Sequence, residues 1–432
     1  MSLFPRIAFN TLIQIIGRVV VIALTIVTTA ILTRHLGVTG FGNYIFITAL
    51  IMFFSSIADW GTGIISVREA SKDKEEEEKI FGNALLIRLG LALISFLIIN
   101  LFVRFLPQFS GLILATAIAS TLLFFWSLRT SCQIVFQTKL RFDKHVLVEV
   151  IASVLFFLLL ISFLKFSPNL NQIFLILSFS SLLASLLALF LVRRLTSFVL
   201  QPDWHLIKRI FLEALPTGAL LLVFSIYNKI DIFILQSIKG AESVGTYGLA
   251  YKVHDNLILG AAFLANALFP ILSKCANEPG LNNRLRLIYK KSFDILFMAG
   301  IFLMVSVLIF APLIIQIIGG REFTASTLVL RILVFGTFIA YFNHLTGYSL
   351  IALGKQKISL IVAVMALVWN VGLNLIFIPR YSYLAAAVVT IATEGLVLIL
   401  TSAYLAKKFN LKPSFSFPKT LVEIIKTRGK IF

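Results

Sequence analysis

The amino-acid sequence predicts an all-α membrane protein of about twelve transmembrane helices, and three observations carry that reading. The chain is 59% hydrophobic and only 13% charged, where an average soluble domain is roughly 25% charged. A soluble fold needs a polar cover, and a bilayer as solvent removes the need. The sequence also holds twelve apolar runs of the length that crosses a hydrocarbon core about 30 Å thick. Finally, Lys and Arg gather in every second connection between those runs.

The runs lie at approximately 8–32, 42–66, 82–106, 111–135, 146–164, 172–192, 211–238, 245–271, 292–318, 326–353, 358–378 and 382–406. With 41 Phe and 11 Pro, the composition suits long apolar helices. The seventh run departs most from the pattern, since it carries Pro216, Lys229 and Asp231. The first is long enough to span and no A-x-A site follows it, so it reads as a helix and not as a cleavable leader. No hydrophilic stretch has the length of a folded soluble domain. Cys132 and Cys275 are isolated thiols, which is not a disulfide framework or a metal site.

Net charge is +19, which in a soluble chain would point to nucleic acid. Here the charges sort by side. With the N-terminus inside, inner segments hold 26 of the 38 Lys and Arg, outer loops hold six, and six lie within the runs. An excess of Lys and Arg marks the cytoplasmic side, and one missed span would scramble every later loop. The expectation is a multi-pass protein of the cytoplasmic (inner) membrane with both termini cytosolic and no nucleic-acid partner. The run Glu75–Glu78 between Lys74 and Lys79 reads as a solvated cytosolic loop.

The inner connection from Arg193 to Ile210 divides the chain. Residues 1–192 form an N-terminal six-helix lobe, 193–210 a cytosolic linker, 211–406 a C-terminal six-helix lobe, and 407–432 a basic cytosolic tail with room for a short interfacial helix. An internal echo supports the division. Gly37-x-x-x-Phe41-Gly42-x-Tyr44 follows the first run, and Gly240-x-x-x-Val244-Gly245-x-Tyr247 follows the seventh, 203 residues later. A second echo pairs Lys139-Leu140-Arg141 with Lys355-Gln356-Lys357. Six helices plus six in matching orientation is a parallel repeat, although Gly and aromatic residues also recur at membrane turns in general.

The stretch from Leu32 through Arg34, Gly37, Gly40-Phe41-Gly42 and Tyr44, then Asp59-Trp60-Gly61 and Arg68-Glu69, resembles the start of Wzx-type polysaccharide flippases. These belong to the multidrug/oligosaccharidyl-lipid/polysaccharide exporter superfamily. Asp231-x-x-x-Leu235, Gly240 to Tyr247 and Ala250-Tyr251-Lys252 extend the likeness over nearly the whole chain. These motifs mark the superfamily better than the substrate. The resemblance implies two pseudo-symmetric six-helix lobes around a central cavity that opens alternately to either side. It also implies an undecaprenyl-diphosphate-linked oligosaccharide as cargo, membrane lipid as surroundings, and a polysaccharide polymerase and other assembly proteins as partners.

Against that background the charges inside the runs become candidates. An Arg, Lys or Asp at a helix centre costs roughly 2.5–3.5 kcal/mol on insertion scales, so such groups should face a cavity or pair. Arg18, Arg88, Arg129, Lys229, Lys252 and Arg331 form a rough ladder across the bilayer and are the candidate substrate-binding residues. Guanidinium groups grip phosphate oxygens in pairs, and Lys offers a point charge. Snorkelling to the headgroups is the competing reading for Arg88, Arg129 and Arg331, and less so for the deep Arg18. Asp59, Asp231, Asp255 and Glu394 are candidate ion-coupling residues for H+ or Na+, with no other cofactor and no metal expected. Lys252 and Asp255, three apart on one helix face, can instead neutralise one another.

His254 and His344 read as packing residues before proton relays. Tyr227, Tyr251 and Tyr341 read as belt or packing residues, or as platforms for sugar rings. Pro216 and Pro312 are candidate bends. No Walker loop, H-E-x-x-H or G-x-S-x-G is present, so an ATP-driven pump or a familiar hydrolase is not expected, and the reading is a transporter and not an enzyme. Two rivals stand: a multidrug exporter of organic cations, which would want an acidic cavity, and a membrane enzyme of polysaccharide assembly, which would want a long outer loop.

Overall fold

The computed structural model describes residues 3–72, 76–197, 200–277 and 282–413, without the side chains of 3–11, 267, 270, 277 and 282. Lys74, Glu75, the Arg6 side chain and the tail from 414 therefore lie outside the described residues. Those described form twelve α-helices, two short 3-10 turns at Pro107–Leu112 and Arg321–Phe323, and no strand. In chain order the helices are α1 (Leu3–Asp59), α2 (Thr62–Lys72), α3 (Glu77–Phe105), α4 (Ile113–Ser120), α5 (Leu122–Thr138), α6 (Phe142–Leu164), α7 (Leu170–Arg193), α8 (Trp204–Lys239), α9 (Ala241–Asn277), α10 (Asn282–Gly319), α11 (Ser326–Ala352) and α12 (Gln356–Phe409).

The helices follow the apolar runs, with instructive differences. Runs one and two both fall on α1, 57 residues long. At 1.5 Å per residue a straight helix of that length would reach roughly 85 Å, far more than a bilayer core. The chain breaks at Gly37, with φ 64° and ψ −176°, a backbone region essentially confined to glycine. Runs eleven and twelve fall likewise on α12, which breaks at Ser382. Run four is divided at Thr121 into α4 and α5. Nine helical stretches among the described residues are long and apolar enough to cross a membrane, and the first and last each hold two of the expected spans. Run eight lies on α9, outside those nine, with Lys252, His254, Asp255 and Asn256 near its middle. Both α8 and α10 continue through Pro216 and Pro312.

The outer and inner faces of these helices reverse the soluble pattern. On α3, Leu93, Ile94, Leu97, Ile98, Leu101 and Phe102 are exposed, while Asn83, Arg88 and Ser95 are buried. Lipid tolerates the first set and protein satisfies the second. On α7 the buried residues between positions 178 and 188 are all small: Ser178, Ser180, Ser181, Ala184, Ser185 and Ala188. Small residues let helix backbones approach closely in membranes, and the Ser185 hydroxyl donates to the Phe125 carbonyl of α5 at 2.7 Å.

The chain divides into two compact units, Met1–Lys229 and Ile230–Phe432. The division falls inside α8, later than the 193–210 linker, because the first turns of α8 pack with the first unit. Leu206, Ile210 and Ala214 cluster with Ile65, Ile80 and Ile87. A second cluster of this unit joins Phe81, Leu85, Cys132, Phe136, Val148 and Ala184. In the second unit the core gathers Leu268, Cys275, Tyr289, Tyr341, Phe342 and Leu405, with Phe293 stacked on Phe342 at 4.6 Å between ring centroids. Both cysteines are free and buried.

Each unit uses the echoed glycine turn in the same way. Gly37 and Gly240 have φ of 64° and 79°. Four residues on, Phe41 and Val244 are buried, and seven on, so are Tyr44 and Tyr247. The second echo holds with a shifted register. Leu140 and Gly354 both take left-handed backbone, and the next amides, Arg141 and Lys355, each donate back five residues, to Phe136 at 2.7 Å and Leu350 at 2.8 Å. This is the Schellman ending of a helix. It pairs Arg141, and not Lys139, with Lys355.

Candidate functional site

The site of the first unit begins with the Asp59-Trp60-Gly61 motif. Trp60 and Gly61 take positive φ, 46° and 70°, which ends α1 and starts α2 at Thr62. The Trp60 ring stacks on Phe211 at 6.0 Å and 9° and lies against Gly218, where an added Cβ would meet it at 2.9 Å. The Thr62 hydroxyl donates to the Asp59 carbonyl at 2.7 Å. The break thus aims the Asp59 carboxylate and the Thr62 hydroxyl at one point on α3.

That point is Arg88, buried within the unit. Its Nη2 pairs with the Asp59 carboxylate. Its Nε donates to Thr62 Oγ1 at 2.9 Å, and its Nη1 to Thr130 Oγ1 at 3.1 Å and Ser131 Oγ at 3.4 Å. Gly63 makes room, since a Cβ there would sit 2.4 Å from Nη2. Snorkelling is therefore not what Arg88 does. On α5, Arg129 Nε lies 3.4 Å from Glu149 Oε1 of α6 and makes no hydrogen bond.

Arg88, Arg129 and Asp59 line one cavity of about 420 Å³. The other lining residues are Ser55 and Ser56 of α1, Gly63, Ile64 and Val67 of α2, Leu221 of α8, and Trp126, Ser127, Thr130, Gln133, Ile134 and Gln137 of α5. Two guanidinium groups, each balanced by a carboxylate, sit beside hydroxyls, an indole and two carboxamides in a helical wall. This chamber mixes apolar and polar walls, its charges are formally balanced, and it can accept an anion by exchanging a carboxylate for it.

The remaining candidates lie elsewhere. Arg18 is exposed on α1 among exposed Ile15, Ile16 and Val19. Arg331 is exposed on α11 in line with Leu328 and Phe335, its Nε donating to the Leu308 carbonyl at 3.2 Å. Lys229 and Lys252 are half-buried, and Asp255 is exposed on α9. Asp231 is buried: the Tyr247 phenol donates to its carboxylate, the Ile232 amide donates to it at 2.8 Å, and Tyr247 Oη lies 3.2 Å from Thr390 Oγ1. Glu394 accepts from Asn343 Nδ2 at 2.6 Å. His254 is a buried packing residue bonded to Thr337 at 2.7 Å, and the Tyr341 hydroxyl donates to the Leu257 carbonyl at 3.1 Å.

Sequence reasoning missed Glu149, Gln133 and Gln137. Glu149 sits near the start of α6 and was not among the candidate acids. The two glutamines carry no charge and drew no attention, although Trp126, Thr130, Gln133 and Gln137 recur with helical spacing in an apolar run.

Known proteins match this chain along most of its length. The family model described as "Polysaccharide biosynthesis protein" matches residues 7–276, and the MatE model matches 216–376. A protein of Haloferax volcanii, "Probable low-salt glycan biosynthesis flippase Agl15", is 25% identical over 190 residues, 44% of this chain and 40% of that protein. The match thus spans less than half of that relative's length. Among solved structures, lipid II flippase MurJ superposes with a TM-score of 0.73 at 17% identity, over 98% of this chain and 93% of that one. An inward-facing multidrug resistance MATE transporter gives 0.69 at 17%, over 93% and 96%. At such identities the likeness shows a shared fold.

Proposed function

The chain belongs to the polysaccharide biosynthesis protein family, and on that premise we propose that this multi-pass membrane protein flips an undecaprenyl-diphosphate-linked oligosaccharide across the cytoplasmic membrane. The movement is by alternating access, with both termini cytosolic and with H+ or Na+ as the coupling ion. The observation that carries the reading is the pair of arginines, Arg88 and Arg129, sharing one cavity inside apolar helices.

An empty chamber with two bare cations would be costly in a bilayer. Asp59 and Glu149 hold that cost down. A diphosphate offers the same guanidinium groups charge-assisted, bidentate bonds, so it competes with both carboxylates. A carboxylate displaced by cargo is then a place for H+ or Na+, which gives Asp59 its coupling role. Asp231, held by Tyr247 near Thr390, is the corresponding candidate of the second unit, with Asp255 and Glu394 as further acids. Arg18, Lys229, Lys252 and Arg331 remain candidates for contacts along the path.

The MatE match and the MATE likeness keep a multidrug exporter as the second reading. The cavity opposes it, because an organic cation gains nothing from two guanidinium groups. The test is reconstitution in liposomes. A fluorescent polyprenyl-diphosphate oligosaccharide should become accessible to an external glycosidase only in vesicles that hold the protein, while a cationic dye gradient is unchanged. Dye movement without glycolipid movement would replace this reading by the second.

A further inference from the structure

One face of α5 carries a row of polar side chains of which, among the described residues, only Thr130 is hydrogen-bonded, to the Trp126 carbonyl at 2.8 Å and from Arg88 at 3.1 Å. Trp126, Thr130, Gln133 and Gln137 recur at intervals of four, three and four residues. At 100° per residue they fall within about 60° of arc, and they extend along the helix for roughly 16 Å. All four line the 420 Å³ cavity. Among the described residues, neither Gln133 nor Gln137 makes a side-chain hydrogen bond, and the Trp126 indole N–H makes none. Several amides elsewhere in these helices are bonded inward: Asn100 to Ser120 at 3.0 Å, Asn370 to Thr393 at 3.2 Å and Asn374 to Asn370 at 2.9 Å.

Two unbonded, half-buried carboxamides facing the cavity are placed to bond a polar group that enters it. A carboxamide presents donors and an acceptor together, which complements a hydroxyl, itself donor and acceptor. An indole beside them offers a broad apolar face with one polar tip. A neutral, hydroxyl-rich ring with an apolar face answers all three groups at once. Arg129 stands one turn before Gln133 on the same helix, so a phosphate held at Arg129 would place the sugar attached to it beside the amides.

We propose that this face of α5 is the sugar-recognition strip of the cavity, with Gln133 and Gln137 bonding hydroxyls and Trp126 packing on a ring of the sugar joined to the diphosphate. The assignment rests on the flippase reading above and adds which residues distinguish a glycosylated carrier from a bare one. Water filling the chamber would satisfy the same amides, but it would create no preference between those two carriers.

The experiment compares binding of two probes to the full chain in nanodiscs: a short polyprenyl diphosphate, and the same molecule carrying one N-acetylhexosamine. The wild-type protein should bind the glycosylated probe about tenfold more tightly. Gln133→Ala/Gln137→Ala should remove that preference and keep the affinity for the bare diphosphate, with an unchanged melting temperature. Trp126→Ala should weaken the preference, and Trp126→Phe should restore much of it. A preference that survives the double substitution, or equal binding of the two probes by the wild type, overturns the strip. Binding of neither probe overturns the flippase reading along with it.

Discussion

The Asp59 carboxylate at the end of α1 ion-pairs with the guanidinium of Arg88 on α3, a side chain only 3% exposed. Removing one partner of a fully buried pair costs about 3–5 kcal/mol, and the loss is smaller here because the Asp59 side chain is 35% exposed. Asp59→Ala and Arg88→Ala should therefore each lower the melting temperature markedly. The double variant Asp59→Ala/Arg88→Ala should lose clearly less than the two single losses together. Thermal unfolding of the purified variants in one detergent measures this, and strictly additive losses would show that the pair is not coupled.

The two Schellman endings offer a reciprocal test. Leu140 holds left-handed backbone with φ 54°, while Gly354 meets the same demand with φ 68°. A non-glycine residue there costs roughly 1–2 kcal/mol. Leu140→Gly should relieve the protein of that cost, offset in part by the lost packing of a side chain that is 36% exposed. Gly354→Leu should destabilise it by a similar amount. Equal melting temperatures for all three proteins would contradict the register that pairs Arg141 with Lys355.

Asp231 depends on a hydroxyl that can be removed without altering shape. Tyr247→Phe deletes the donor to the carboxylate and the contact with Thr390. Both Tyr247→Phe and Asp231→Asn should blunt the response of glycolipid translocation to pH and sodium. A normal ion response in Asp231→Asn would remove Asp231 from the coupling scheme.

Arg18 stands exposed among apolar neighbours on α1, a position with a cost unless its charge is used. Arg18→Ala should insert normally and abolish translocation in the liposome assay. Full translocation by that variant would show the charge to be dispensable.

The alternation of basic loops and apolar runs let the helices be read from sequence, because backbone bonding in lipid leaves a helix as nearly the sole option for each run. Gly37 was legible as a turn for a related reason, since few residues tolerate its backbone. Partnerships were less legible. Asp59 and Arg88 both lie near the same ends of neighbouring runs, so matching depth would have joined them, whereas scanning each charge alone assigned them to different tasks. Glu149 escaped notice because its place beside Arg129 depends on α5 packing beside α6. Gln133 and Gln137 escaped because they carry no charge and so did not stand among the candidate ions, though their period was in plain view. The boundary inside α8 follows from side-chain packing at Leu206, Ile210 and Ala214, which loop length does not reveal.

The burial of Cys132 and Cys275 has a practical reach. A thiol enclosed in a close-packed core does not meet a water-borne maleimide. Single cysteines introduced into successive connections can therefore be labelled from one side of sealed vesicles without first removing the native pair. The sidedness of every loop becomes measurable in the otherwise unaltered protein.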